Sequence, residues 1–146
     1  MENFQPIFDK KIIENLIPQK HPFVMVDKIY AFAENSMVSG LKISDENIFF
    51  DGENFVESGI IEHMAQSIAL HKGYDCFLKN EKVPVGFIAS LNNVEFFSLP
   101  KLNDEIKTTV TILFDSGGMT SVEVTTEANE ITIAKGELKT ILAPQH

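Results

Sequence analysis

Hydrophobic and polar residues alternate through most of the second half of the chain, the period of a half-buried β-strand. Together with the turn residues between the apolar segments, this pattern predicts strands at 24–31, 36–44, 85–97, 105–115, 119–127 and 131–142. A Ser-Gly-Gly turn joins the fourth and fifth strands as a hairpin. The alternation is clearest in Ile106, Thr108, Val110, Ile112 and Phe114. A short amphipathic helix is predicted at 11–16, before the first strand.

One segment has the period of a helix instead, and the pattern predicts that this helix runs from Ser58 to Lys72. Ser58 is the expected N-cap, and Gly73 suits the position just after the C-terminus. Glu62 and Gln66 lie four residues apart and therefore share one side of the helix, next to its apolar stripe. The stripe consists of six residues: Ile60, Ile61, Met64, Ala65, Ile68 and Ala69.

This order of elements predicts an α+β domain. An antiparallel sheet with one buried face needs a cover, and one long helix can provide it. We therefore expect residues 1–146 to form a single domain, in which five to six antiparallel strands wrap round one central helix.

Composition excludes several classes of function. The chain has 12 Lys and Arg against 21 Asp and Glu, and its net charge of −9 disfavours binding to nucleic acid. It has neither an apolar run long enough to cross a membrane nor the apolar core of a signal peptide, so we expect a cytoplasmic protein without membrane segments. Cys76 is the only cysteine, and the four histidines form no His-x3-His pair. We therefore predict no disulfide, no metal site and no cofactor.

Three motifs follow one another along the chain. They are IPQKHPFVMVDKI, then FFDGENF with EHMAQ, and finally ASLNNVEFFSLPKLNDEI. In order and spacing they resemble the opening, the loop with the central helix, and the Pro-rich turn of the hotdog-fold 3-hydroxyacyl-[acyl-carrier-protein] dehydratases. The short loop with Asn54 is similar to that of a divergent branch associated with aryl-polyene and flexirubin-type pigment pathways. The resemblance implies a hotdog fold and an acyl thioester substrate.

Two positions depart from the pattern of that family. The catalytic histidine of its Gly-His-Phe-Pro motif is replaced by Glu53, which follows Gly52. The histidine of its Leu-Pro-His opening is replaced by Gln19, and another histidine, His21, stands two places later. The resemblance therefore supports the fold and the ligand class more strongly than the usual catalytic histidine–carboxylate pair.

The resemblance implies that Glu62 is the catalytic acid or the ligand of the substrate hydroxyl. Without it, Glu62 is better explained as a solvated glutamate near a helix start, because a glutamate in the first turn is common. Dehydration also needs a base with a pKa near neutrality, and we take His21 as the first candidate, although a loop histidine without function is the alternative. His63 is the second candidate, but it points about 100° away from Glu62 round the helix.

Other residues of the motifs are expected to bind substrate or to shape the site. Gln66 would hold Glu62 or the substrate hydroxyl, and the backbone of Gly59 would approach the thioester carbonyl. Asn54 and Glu53 occupy the loop that precedes the helix. A capping, packing or solvated role is the alternative for each of these four residues.

The predicted activity is elimination of water from a 3-hydroxyacyl thioester to give a trans-2-enoyl thioester, in fatty-acid or polyene-type biosynthesis. The partners implied are an acyl carrier protein and a second hotdog protomer, as a homodimer or a hetero-oligomer. Two alternatives stay open. One is a non-catalytic hotdog subunit that binds acyl chains or supports an active dehydratase, and the other is an acyl thioesterase on the same fold.

Overall fold

A six-stranded antiparallel sheet and one long helix make up the fold in the computed structural model, which describes residues 4–143. The helices are α1 (Lys10–Asn15) and α2 (Glu57–Leu78). The strands are β1 (Lys28–Ala33), β2 (Ser36–Lys42), β3 (Gly86–Phe96), β4 (Glu105–Ser116), β5 (Met119–Ala128) and β6 (Ile131–Leu142), in the spatial order β1-β2-β4-β5-β6-β3. The predicted fold class is confirmed.

Helix α2 is longer than the sequence predicts. It begins at Glu57 after an N-cap at Val56, which makes no side-chain cap bond, so the predicted cap at Ser58 is wrong. It also continues through Gly73 to Leu78. Gly73 lacks a side chain for a packing reason, because a Cβ there would lie 1.9 Å from the carbonyl oxygen of Leu16. The glycine thus lets the end of α1 cross α2 in close contact and does not terminate the helix.

The buried side of α2 differs from the predicted apolar stripe. Ile60, Met64 and Ile68 are buried as expected, but the other three members of the stripe are only partly buried. Four polar residues are buried instead: His63, Gln66, Ser67 and His71. They are tolerated because polar partners face them, a pattern that single-helix periodicity does not contain.

Two strands depart from the predicted alternation. β1 begins at Lys28 and not at Val24, since the main chain of Met25 bonds to side chains of α2 and not to a neighbouring strand. In β4 the register shifts between Ile112 and Phe114, so Phe114 is turned outwards and 54% exposed. A bulge of this kind reverses the side-chain alternation from that point on.

The two edges of the sheet differ. Ile7 bridges to Ile29 on β1, so the chain itself covers part of that edge. On the opposite edge β3 pairs, among the described residues, only with β6, and it carries exposed apolar side chains, among them Phe87, Ile88 and Leu91. An uncovered apolar edge strand invites pairing with another chain. Over the described residues, no helix is both long and apolar enough to cross a membrane.

We expect the substitution Gly73→Ala to destabilise the protein by about 1–3 kcal/mol or more, because its Cβ meets backbone atoms that cannot move independently. Urea unfolding monitored by circular dichroism measures the change. Ser58→Ala, at an exposed position of the same helix, is the control and should change stability by less than about 0.5 kcal/mol. Equal stability of the Gly73→Ala variant and the parent would contradict this explanation of the glycine.

Candidate functional site

The site is organised by the side-chain amide of Gln66, which is fully buried. Its Oε1 accepts a hydrogen bond from the backbone N–H of Met25 at 2.6 Å. Its Nε2 donates to the carbonyl oxygen of Phe23 at 2.8 Å and to Oε2 of Glu62 at 3.0 Å. Gln66 therefore fastens the segment before β1 to α2 and fixes the orientation of the Glu62 carboxylate.

Glu62 lies at the wall of a cavity between α2 and the sheet. The carboxylate is partly buried, and within residues 4–143 the amide of Gln66 is its one hydrogen-bond partner. Its Oε1 thus has no protein partner in this part of the chain. The arrangement leaves one carboxyl oxygen for a ligand while the other holds the group in place, which suits proton donation or hydroxyl binding.

The cavity has a volume of about 480 Å³ and runs along α2 from Glu62 towards Lys79. Its walls combine apolar side chains with a few polar groups, a composition typical of small-molecule sites. The apolar part includes Ala65, Ile68, Ala69, Phe87, Ile88 and Ile112. The segment before β1 contributes Pro18 and Gln19. Such walls can accommodate an acyl chain.

His63 faces the sheet and not the cavity. Its Nδ1 lies 2.6 Å from the carbonyl oxygen of Met25, which can only accept, so Nδ1 carries the proton. Its Nε2, 2.9 Å from the hydroxyl of Thr108, therefore accepts from that hydroxyl. The hydroxyl of Thr108 also lies 2.5 Å from the hydroxyl of Thr126. Because the hydrogen of Thr108 is used in the bond to His63, Thr126 is the donor of this second bond. Both nitrogens of His63 are thus committed to structural bonds inside the core.

His71 lines the cavity but lies far from Glu62. Nine residues of helix separate them, a rise of about 13.5 Å. Nε2 of His71 lies 3.0 Å from the carbonyl oxygen of Ala33, and its ring stacks on Phe32. Burial lowers the pKa of His71, so the ring is neutral near pH 7. His71 is therefore too far from Glu62 for both side chains to act on the same two adjacent carbon atoms of a substrate.

His21 is exposed and lies in a different cleft. That cleft has a volume of about 230 Å³, and Lys10, Asp27 and Lys42 are among the residues that line it. Glu62 does not line it. Within one chain, the structure therefore does not bring the predicted acid and the predicted base into one cavity.

The loop that carries Glu53 and Asn54 is a compact turn organised by Asp51. One oxygen of the Asp51 carboxylate accepts from the N–H groups of Glu53 at 2.9 Å and Asn54 at 2.7 Å. These two bonds lower the pKa of Asp51. The side chain of Glu53 is exposed, and neither Glu53 nor Asn54 lines the cavity of Glu62.

Gly59 packs against two phenylalanines. A Cβ on Gly59 would lie 2.6 Å from Cβ of Phe49 and 2.7 Å from the ring of Phe55. Its N–H donates to the carbonyl of Val56 at 2.9 Å, inside the first turn of α2. Close packing accounts for the glycine, and its amide is already bonded within the protein.

Sequence reasoning missed several residues that build this region. Asp51, Thr108 and Asp27 each hold a neighbouring element, the last by accepting from the N–H of Lys42 at 3.1 Å. A threonine at an inward position of the predicted β4 alternation was the available indication for Thr108. Gln19 was noted only as a departure from a motif, although it lines the cavity with Glu62.

Comparison with known proteins agrees with the fold and the motifs. The family model described as ApeP-like, ApeP dehydratase, matches residues 11–146. The 3-hydroxyacyl-[acyl-carrier-protein] dehydratase FabZ of Oceanobacillus iheyensis is 31% identical over 142 residues, which cover 88% of this chain and 99% of that protein. FabZ of Ruminiclostridium cellulolyticum is 27% identical over 135 residues, covering 88% and 93%.

A solved structure shares the architecture. It is the dehydratase heterocomplex ApeI:P from Xenorhabdus doucetiae, and one of its chains superposes with a TM-score of 0.81 at 16% identity, over 98% of this chain and 94% of the other. At that identity the likeness shows the fold, and the predicted hotdog fold is confirmed.

We expect Gln66→Leu to destabilise the protein by about 2–4 kcal/mol, because it leaves the buried N–H of Met25 and the C=O of Phe23 unpaired. Denaturant unfolding measures the loss. Gln66→Glu is the informative companion, since it keeps the acceptor for Met25 but places a second carboxyl beside Glu62. Stability of Gln66→Leu equal to that of the parent would contradict the role of this amide.

We expect acid to destabilise the fold through His63. Burial lowers the pKa of His63 from 6.5 to about 4, outweighing the opposing effects of the Met25 carbonyl and of Asp27. A group with a lowered pKa in the folded state contributes stability above its unfolded pKa and loses it as pH falls. The difference corresponds to about 3 kcal/mol, lost between pH 6.5 and about 4.

Chemical denaturation across this pH range tests the expectation. The variant His63→Gln should show a flatter dependence on pH, with the part that belongs to His71 retained. An unchanged pH dependence in the variant would show that His63 does not titrate as described.

Proposed function

Because the chain belongs to the ApeP-like dehydratase family, we propose that it removes water from a 3-hydroxyacyl thioester of acyl carrier protein and yields the trans-2-enoyl thioester. The observation that carries the proposal is the Glu62 carboxylate, held by Gln66 at the wall of a largely apolar cavity of about 480 Å³. The carboxylate provides the polar chemistry, and the apolar wall provides room for the acyl chain.

In this proposal Glu62 acts on the C3 hydroxyl. A base removes a proton from C2 while the C3–O bond breaks, and the proton of Glu62 moves onto the departing hydroxyl, which leaves as water. Gln66 acts as the positioning residue. Its three bonds keep the Glu62 carboxyl in one orientation through the reaction.

The base comes from a second protomer. Of the three histidines in residues 4–143, His63 lies in the core and His21 in a separate cleft, and His71 lies about two and a half helical turns from Glu62. The chain alone therefore does not place an imidazole beside Glu62. His21 stays our candidate, because its ring is exposed and the described residues form no hydrogen bond with it. Edge strand β3 supplies an apolar surface for pairing.

A second candidate function is a supporting subunit in a mixed dehydratase. The similar solved structure is described as a dehydratase heterocomplex, and Glu53 stands in the exposed loop where the family carries its catalytic histidine. In that case the partner provides the active pair, while this chain contributes its fold and its acyl cavity. Aryl-polyene or flexirubin-type biosynthesis is the pathway context we propose for either case.

We expect Glu62→Gln to lower kcat/KM for dehydration by at least about 10²-fold without loss of fold, since the amide cannot protonate the leaving group. The assay follows formation of the enoyl thioester from 3-hydroxyacyl carrier protein. Glu57→Gln, at an exposed position on the same helix, is the matched control and should keep full activity. His21→Asn tests the base and should show a comparable loss.

The same assay separates the alternatives. Full activity of a mixed complex that carries Glu62→Gln in this chain would assign chemistry to the partner. Free acid without enoyl product would assign the chain as a thioesterase.

We expect Leu91→Asp on edge strand β3 to weaken self-association or association with a hotdog partner, because it buries a charge at an apolar interface. Sedimentation velocity over a range of concentrations measures the change. Ile12→Asp on α1 is matched in exposure, 46% against 43%, and should leave association unchanged. An equal effect of both variants would show that β3 is not the specific interface.

A further inference from the structure

The buried imidazole of His63 is connected to the Glu62 carboxylate by a continuous series of hydrogen bonds. Its Nδ1 donates to the carbonyl oxygen of Met25 at 2.6 Å. The N–H of the same residue donates to Oε1 of Gln66 at 2.6 Å, and Nε2 of Gln66 donates to Oε2 of Glu62 at 3.0 Å. Two side chains one helical turn apart on α2, His63 and Gln66, thus hold one residue of the segment before β1.

All hydrogen bonds of this series point in the same direction. Burial lowers the pKa of His63 to about 4, so the ring is neutral near pH 7, and with the proton on Nδ1 its Nε2 is an acceptor. The hydroxyl of Thr108 therefore donates to Nε2 at 2.9 Å and accepts from Thr126 at 2.5 Å. Hydrogen bonds in series polarise and strengthen one another, and these two hydroxyls fix the tautomer that presents a donor to Met25.

Met25 depends on these two side chains of α2 because it has no strand neighbour. Within residues 4–143 its C=O bonds only to His63 and its N–H only to Gln66. Removal of the imidazole leaves the carbonyl of a fully buried residue without a donor, and the segment must shift to pair it. Gln66 follows that shift because its Oε1 is bonded to the same residue, and the Glu62 carboxylate follows Gln66.

A histidine that merely stabilises the core is the alternative, and Ser67 on the same helix shows what such a residue looks like. Ser67 is fully buried, its hydroxyl donates to the C=O of His63 at 2.7 Å, and it lies 2.6 Å from the hydroxyl of Ser39. These bonds reach neither Gln66 nor Glu62. The bonds of His63 differ because they continue through one main-chain residue to the carboxylate.

We propose that His63 is a positioning residue for the dehydration. Acting through Met25 and Gln66, it holds the Glu62 carboxyl in the orientation that directs its proton to the C3 hydroxyl. The inference rests on the proposed function and adds to it a residue that touches neither the substrate nor the reacting atoms. Orientation matters at this level, since a displacement of about 1 Å can lower a rate about 10²-fold.

Two variants with the same amide group test the proposal. The amide in His63→Asn reaches the position of Nδ1 and keeps a donor for Met25, whereas the longer side chain in His63→Gln carries its amide to the position of Nε2, beside Thr108. We expect kcat of His63→Asn to stay within about threefold of the parent and kcat of His63→Gln to fall at least about tenfold, with KM nearly unchanged in both. Asparagine leaves the larger void and has the lower helix propensity, so a merely structural role gives it no advantage.

Ser67→Ala is the matched control, because it removes a buried hydroxyl from the same part of α2. It should lower stability and leave kcat unchanged, in assays at a temperature where denaturation curves show every variant folded. Equal kcat in the two histidine variants would overturn the proposal. So would a loss of kcat in Ser67→Ala as large as that in His63→Gln.

NMR of the Gln66 side chain gives a readout that needs no turnover. Both hydrogens on its Nε2 are bonded, one to the C=O of Phe23 and one to Glu62, so their exchange with water is slow. We expect this exchange to be at least about tenfold faster in His63→Gln and unchanged in His63→Asn. Unchanged exchange in both variants would overturn the role of His63 even in an active enzyme.

The two proposals fail in different ways. If the unmodified chain, alone or with a hotdog partner, forms no enoyl product, the dehydration proposal fails, and the exchange of the Gln66 amide still decides whether His63 orients the Glu62 carboxyl. An active enzyme with equal kcat in both histidine variants gives the opposite result. In that case dehydration stands and positioning by His63 is overturned.

Discussion

The buried amide of Gln66 is the interaction on which the rest of the site depends. It joins an irregular segment, a helix and a carboxylate through three bonds, and none of these partners has an alternative within the described chain. The segment before β1 cannot pair as a strand while it is held by α2, which explains why β1 starts late. Pro18 and Gln19 belong to the same segment, a few residues earlier, and line the cavity together with Glu62.

Most strands of the sheet could be predicted from local sequence patterns. The features that could not be predicted depend on contacts between residues that are far apart in the sequence. β6 has the predicted bounds, Ile131–Leu142, although its register with β5 shifts near Ile133, where two consecutive residues, Ile133 and Ala134, are buried. The predicted end of α2 was wrong. Glycine commonly follows the last residue of a helix, but Gly73 instead allows close contact with Leu16, which is remote in sequence. No helical period distinguishes a glycine that ends a helix from one that packs.

The candidate site shows the same division. Glu62 and Gln66 were found because their spacing and motif are local, and the structure brings them into direct contact. The placement of His63 depends on Thr108 and Thr126, which belong to strands far along the chain. Gln19 lies in an irregular segment without periodicity, and its place on the cavity wall is seen only in the structure.

The acidic turn from Asp51 to Asn54 has a consequence for how this family changes. Its own carboxylate closes the turn, and Phe50 and Phe55 pair across its base. Substitution of the exposed side chain of Glu53 therefore removes no contact of Glu62 and no part of the cavity wall. The residue at this loop position and the surroundings of Glu62 are therefore independent of each other, so that a relative can carry or lack a histidine there without a change in the contact between Glu62 and Gln66.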